Sequence, residues 1–495
     1  MKTSPRFRSP AWQIFLLLFG YLALQVLLRA VIAGSVELDE SEQLVMTQEW
    51  RWGYGVQPPL YTWLQIIFFN VFGLNVFALA LLKNLCLGGT FVFTYRTVKE
   101  LAGDVRAALV AMTSLVLLPQ IIWESQRDQT QSVLATMCAA AALYLFLRQA
   151  RNRSWLTAAL FGLVALLGCL SKYNYAVFLA ALLLTAASLK EYRPALVNRR
   201  MLLALAVFVG LGWPHIRWML TNSEAVLARA NEVHEHAANL GLEYVDSLGS
   251  MVTAFIAFSG IAAAVFAAVF FRAAPVNEIS PAVRGLRQFI DRLMIMGVLV
   301  CLALVLVSQA HFKDRWMQPL LFVTPLWLTF RYYRRLEARR VKALLWLNAV
   351  VAGVAFVVLN ATPPWAVATG QYRYLYSDYA NLAAQLKAHG FEHGVVVAIN
   401  RRVGGNLRFT FQDSTILAPE CPRFAAAKAA PWVVVWSAVN DSEIAPPPIL
   451  TNMVWNLRGT DLSAAQPVLA AVPYEHAPTQ TKRFAFLYLP APPVN

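Results

Sequence analysis

Apolar residues in this chain gather into blocks of about 17–25, the length a helix needs to cross roughly 30 Å of hydrocarbon. Lipid offers no partner to a backbone N–H or C=O, so each block must satisfy its own polar groups and is expected to be helical. The blocks fall at approximately 11–34, 74–95, 106–122, 131–148, 155–171, 173–189, 201–219, 249–271, 293–310, 316–331 and 343–360, about eleven in all. The first, Ala11 to Gly34, is longer than a signal-peptide core and runs into acidic residues instead of a cleavage site, so it reads as a retained helix. Composition agrees. Hydrophobic residues make up 58% of the 495 and charged residues 14%, where soluble domains carry roughly 25% charged.

The net charge of +15 would point to nucleic acid in a soluble protein. Topology accounts for it here. Lys2, Arg6 and Arg8, then Arg96, Lys99 and Arg106, then Arg148, Arg151 and Arg153 occupy alternate loops. The set continues through Lys190–Arg200, Arg272–Arg292 and Arg331–Lys342, and takes in more than half of the 42 basic residues. Basic loops stay cytoplasmic and contact anionic headgroups. The expectation is therefore a multi-pass inner-membrane protein with a cytoplasmic N-terminus, membrane lipids as partners and no nucleic acid.

Two domains follow: residues 1–360 in the membrane, with periplasmic loops 35–73 and 220–248, and residues 361–495 as a periplasmic α/β domain. In the latter, Asp378–His389 patterns as an amphipathic helix, and Gly394–Asn400, Pro431–Ala438 and Arg483–Leu489 as strands. Gly404-Gly405 reads as a turn. The fold class is a polytopic α-helical membrane domain followed by a small α/β domain.

Chemistry-bearing residues concentrate on the outer loops. Asp39-Glu40 directly follow the first helix. Asp39 there serves as a general base, or as a solvated charge or the N-cap of a helix over residues 40–50. Asp128 with Arg127 either orients an acceptor and faces a phosphate or caps the fourth helix. Lys83 lies inside an apolar block and needs a partner or a route to the interface; Lys172 joins two helices on the outside. His311, Lys313 and Arg315 cluster at one helix mouth, against the positive-inside trend, and suit a phosphate leaving group. His234 and His236 are spaced for solvation and not for a metal, and Trp50, Trp52 and Tyr54 stand inside the acidic loop. No metal motif is present, a divalent metal has no support in the spacing, and no cofactor is expected.

Leu38-Asp39-Glu40-Ser41-Glu42 followed by Trp52-Gly53-Tyr54-Gly55-Val56-Gln57-Pro58-Pro59-Leu60 resembles the first-loop signature of the GT-C class of glycosyltransferases. The nearest branch contains the lipid A aminoarabinose transferase and relatives of protein mannosyltransferases. Arg127-Asp128, Leu170–Tyr175 and Lys313–Trp316 are similar to the family as well, and the match spans roughly residues 10–330. The resemblance implies a polyprenyl-phosphate-linked sugar donor, an outward-facing site, inversion at the anomeric carbon, and an envelope lipid, glycan or protein acceptor. It implies Asp39, with Glu40 beside it, as the acceptor-activating carboxylate and Asp128 as the second acid. It also implies Lys83, Lys172 and Arg315 as donor-phosphate contacts, which Arg127 and Lys313 join by their charge and position, and Trp52, Tyr54, Gln57, Pro58 and Pro59 make up the substrate loop. Gln57 departs from the Lys or His that relatives often place before Pro-Pro, and supplies no charge. A transporter or flippase is the alternative; it would show inverted repeats and mid-depth ionisable residues.

Overall fold

The computed structural model describes residues 11–224, 240–370, 377–463 and 465–492. Lys2, Arg6 and Arg8 of the first basic cluster, and His234 and His236 of the expected loop 220–248, lie outside the described residues. The chain divides into two compact units. One comprises Met1–Leu24, Val56–Tyr61 and Lys83–Val357, and the other Gln25–Gly55, Thr62–Leu82 and Val358–Asn495.

Among the described residues, seven helices are long and apolar enough to cross a membrane: Ala11–Ile32, Val76–Ala102, Gln131–Asn152, Arg199–Thr221, Glu243–Phe270, Pro281–Ser308 and Ala338–Thr362. Their outward faces carry large apolar side chains such as Leu17, Leu202, Val307 and Val350, which water would not tolerate in such number. The chain is a multi-pass membrane protein. Gln131–Asn152 is the exception in burial, with 83% of its apolar window covered against 17% for Arg199–Thr221; it is the central helix of the first unit. Trp155–Ser171 and Arg199–Thr221 meet where a Cβ on Gly162 would stand 2.2 Å from the Ala204 carbonyl oxygen. A small residue there lets two backbones touch, as membrane helix pairs often require.

The expected count of about eleven spans takes a different form. Trp155–Ser171 and Tyr175–Ser188 are shorter apolar helices. The third expected span is bent by 70° between Val105–Leu117 and Gln120–Arg127, at Pro119 and a π-helical turn over Gln120–Glu124, both recognised causes of kinks. The tenth is broken into Asp314–Trp316, Gln318–Leu321 and Thr324–Arg331, with Pro319 and Pro325 at the breaks removing backbone donors. Residues 35–73, read as a loop, form helices over Leu38–Met46 and Leu60–Phe72.

The second unit carries a five-stranded sheet in the order β2-β1-β3-β5-β4, with β1 Val395–Ala398, β2 Thr415–Leu417, β3 Trp432–Ser437, β4 Val468–Tyr474 and β5 Ala477–Leu489. β1 pairs in parallel with β2 and β3. The β3–β5 and β4–β5 pairs are antiparallel. β1 is a continuous apolar run, buried at every position, as a central parallel strand must be. The Arg401–Arg408 helix makes the crossover from β1 to β2. Gly404 and Gly405 therefore lie inside a helix and not in a turn. The first-loop residues up to Gly55 belong to this same unit, and Val45 joins the hydrophobic core built by the sheet and its helices.

Candidate active site

The acidic stretch after the first span is a nine-residue helix, Leu38–Met46, with Asp39 and Glu40 in its first turn. Carboxylates are favoured there by the helix dipole. The N-cap is Glu37, not Asp39, and Glu37 makes no side-chain cap bond. Three of the four carboxylates between residues 37 and 42 are buried against arginines. Glu40, 1% exposed, pairs with Arg29 at 2.9 Å. Glu37 pairs with Arg402 at 2.7 Å, and Glu42 pairs with Arg401. Asp39 keeps the more accessible position. Burial alone would lower the Arg401 guanidinium, but the charges of Glu42, Asp39 and Glu420 hold it above its ordinary value. Lys482, buried and near the charge of Arg402, is pushed down to about 8.

The aromatic stretch that follows is split in character. Tyr54 is buried, and its hydroxyl donates to the Glu49 carbonyl at 2.6 Å; burial pushes it up to about 12. It is a structural pin for the loop. Trp52 is 52% exposed, and its ring stands nearly perpendicular to that of Trp63 with centroids 5.4 Å apart.

In the first unit, the other flagged residues gather around Gln120–Ser132. The Lys83 ammonium is 1% exposed and donates to the Gln126 carbonyl at 3.0 Å. Asn84 and Gln126 exchange amide hydrogen bonds at 3.2 and 2.7 Å. Arg127 pairs with Glu124 at 3.5 Å, and Asp128 is buried immediately after that turn. The N-cap of Gln131–Asn152 is Thr130, so Asp128 is not that helix's cap. The Lys172 ammonium donates to Ser132 Oγ at 2.6 Å. Gln120 Nε2 donates to Asp314 Oδ2 at 2.7 Å, Gln318 donates to Ser125 Oγ at 3.2 Å, and Asn174 donates to the Trp316 carbonyl. Asp314 thereby ties the Lys313–Arg315 turn to the bent segment. That turn lines an open cavity of about 500 Å³ together with Ser250 and Thr253. Lys313 also lies 5.5 Å from the Trp316 ring centroid. Gln57, Pro58 and Pro59 are buried, while His311 is exposed.

The sequence pattern did not single out Asn84, Gln120, Gln126 and Gln318, nor Arg29, Arg401, Arg402, Asn406 and Arg408. The first group had a signal: amides inside apolar stretches need partners. The arginines of the tail had only the run Arg401-Arg402, which a solvated surface also produces. Among the described residues, no three His, Cys, Asp or Glu side chains are placed to hold a metal ion.

The model of the family described as dolichyl-phosphate-mannose-protein mannosyltransferase matches residues 56–218. Over nearly its whole length the chain is similar to the lipopolysaccharide core galacturonosyltransferase RgtB of Rhizobium johnstonii, at 30% identity across 98% of this chain and 99% of that protein. RgtA of the same organism, also a lipopolysaccharide core galacturonosyltransferase, is 29% identical across 85% of this chain and 86% of that one. ArnT from Cupriavidus metallidurans, solved with undecaprenyl phosphate, shares the fold, with a TM-score of 0.58 at 13% identity over 97% of this chain and 98% of ArnT. On this kinship the transferase reading displaces the transporter alternative. The chain belongs to the GT-C class of membrane glycosyltransferases, the enzymes that draw a sugar from a polyprenyl-phosphate carrier.

Proposed function

We propose that this protein transfers a uronic acid, galacturonate in the first instance, from a polyprenyl-phosphate donor to a sugar of the lipopolysaccharide core at the periplasmic face of the inner membrane. The observation that carries the mechanism is the sorting of the first-helix carboxylates. Glu37, Glu40 and Glu42 are buried against arginines, and Asp39 holds the accessible place beside them. Asp39 is therefore the base, and Glu40 a positioning residue.

In the reaction, the acceptor hydroxyl gives its proton to the Asp39 carboxylate as its oxygen bonds to the anomeric carbon. The bond from that carbon to the phosphate oxygen breaks, with inversion, and polyprenyl phosphate leaves. A single displacement of this kind passes through an oxocarbenium-like state. Phosphate is already a good leaving group, so the protein's remaining task is to stabilise its charge. Lys83, Lys172, Lys313, Arg315 and Arg127 are assigned that role, with Asp128 orienting the acceptor. Trp52, half exposed, offers a stacking surface for a sugar. Gln57, Pro58, Pro59 and Tyr54 shape the loop. No metal or cofactor has a role in this scheme. The clustering of basic residues on alternate loops supports a periplasmic position for residues 361–495.

Reconstitution in proteoliposomes with labelled polyprenyl-phosphate galacturonate and rough core lipopolysaccharide tests this directly. Wild-type transfer with a drop of about 100-fold or more in Asp39→Asn is expected for loss of a general base. Undiminished transfer in Asp39→Asn would remove Asp39 from the role and leave Asp128 to be examined.

A further inference from the structure

A helix of nine residues is too short to hold itself in place, because nucleation is unfavourable and isolated helices below about 12–15 residues are marginal. Leu38–Met46 also lacks a side-chain cap at Glu37. Its fixation comes from the Arg401–Arg408 helix, more than 350 positions later in the chain. Asn406 is its centre: Oδ1 accepts from the Val36 N–H at 2.8 Å, and Nδ2 donates to the Val36 carbonyl at 3.0 Å and to Ser41 Oγ at 3.3 Å. The Arg402–Glu37 and Arg401–Glu42 pairs flank that contact. Arg408 donates to the Leu44 carbonyl and, at 2.7 Å, to Thr47 Oγ1 at the far end. At the midpoint the two backbones touch, since a Cβ on Gly405 would stand 2.4 Å from the Ser41 carbonyl oxygen. Contacts to residues 36, 37, 41 and 42 bracket Asp39 on both sides.

Resting on the reading of Asp39 as base, we infer that the Arg401–Arg408 helix is a catalytic clamp: it sets the position of the Asp39 carboxylate, with Asn406 and the Arg402–Glu37 pair as positioning residues. This gives the C-terminal α/β unit a role in the chemical step. A carboxylate on a short helix that can slide or fray loses alignment with the acceptor hydroxyl, and misplacement of about 1 Å can reduce rate about 100-fold. The donor, held elsewhere, is bound as before. A loss in kcat with an unchanged KM for donor is the signature, because alignment matters only as the transition state forms.

The test measures kcat and donor KM in proteoliposomes for full-length Asn406→Ala, Glu37→Gln, Arg402→Gln, the exchanged pair Glu37→Arg with Arg402→Glu, and Asp39→Asn. Melting curves of each protein run in parallel. The expected result is a fall in kcat of roughly 10–100-fold for the single variants with donor KM within about threefold. The exchanged pair should regain part of the loss, which a general weakening of the fold would not produce. Should Asn406→Ala fail to fold, the two charge-neutral variants carry the comparison. Wild-type kcat in folded single variants, a rise in KM with kcat unchanged, or no recovery in the folded exchanged pair would each overturn the clamp. If Asp39→Asn is inactive in the same series, the base assignment survives that failure. If Asp39→Asn is fully active, the base reading falls first and the clamp falls with it.

Discussion

Arg29 Nη2 stands 2.9 Å from Glu40 Oε2, an ion pair that joins the last turn of the first span to the first turn of the acidic helix. Arg29 also donates to the Ser35 carbonyl at 3.2 Å, so one guanidinium holds both sides of the connecting bend. Breaking a buried pair from one side strands the other charge, at a typical cost of about 3 kcal/mol. Glu40→Ala is expected to lower the melting temperature markedly, and Arg29→Met combined with Glu40→Leu to lower it less. Equal losses in the single and double variants would show that the charge is not the issue.

Gly405 sits in a helix, where alanine would ordinarily gain about 1 kcal/mol. Here the added methyl has no room against Ser41, and overpacking typically costs about 1–3 kcal/mol. Gly405→Ala should therefore destabilise the protein and reduce kcat together. A more stable, fully active variant would contradict the close approach.

Glu475, in the turn between β4 and β5, accepts from the Gly34 N–H at 3.3 Å, and its neighbour His476 meets the Ile32 carbonyl at 3.1 Å. Burial first, and the charge of Asp378 after it, push the Glu475 carboxyl up to about 7. A carboxyl that holds its proton more tightly when folded contributes most at low pH. That contribution is complete below about pH 4.5, the unfolded value, and is lost as pH rises through 7. Glu475→Gln should therefore raise the melting temperature at pH 8 relative to wild type and change it little at pH 5. The same increment at both pH values would refute the elevated carboxyl.

Lys83 donates to the carbonyl of Gln126, two residues before Asp128. Lys83→Met leaves that carbonyl short of a donor and takes away a cation assigned to the donor phosphate. A fall in kcat/KM for the polyprenyl-phosphate donor of about 100-fold is expected. Arginine should restore little, because its planar fork does not fit a compact ammonium's buried place. Unchanged kcat/KM in Lys83→Met would remove this residue from the phosphate site.

Much of the membrane part was legible because period and length follow from lipid alone. Val305 and Leu299 need only be apolar to be placed in a span. Lys83 and Asp128 could be flagged because a charge in such a setting demands a reason. What could not be read was how the spans break. Pro119, Pro319 and Pro325 are each compatible with a kink, a turn or a helix start, and only packing against neighbours selects one. The π-turn that delivers Gln120 to Asp314 leaves no periodic trace.

In the tail, β1 and β3 were visible as apolar runs, whereas β2 and β4 were not. Thr415–Leu417 is only three residues, and Val468–Tyr474 alternates weakly on the outer edge of the sheet. Short and edge strands owe their form to their partners more than to their own pattern. Gly404-Gly405 misled for a related reason: two glycines favour a turn locally, and a helix there is tolerated because the backbone of Ser41 needs the space.

By itself the sequence determined that this chain lives in a membrane, that its tail folds as an α/β unit, and that an acidic cluster follows the first span. Hydrophobic length and strand period are local properties, and a reader of residues can see them. The tertiary structure decided which carboxylate in that cluster stays accessible. Glu37, Asp39, Glu40 and Glu42 are nearly equivalent as residues, and they were told apart by arginines at 29, 401 and 402. Charge pairing at a few ångströms depends on where the chain returns in space, and that return is decided by the packing of the whole unit.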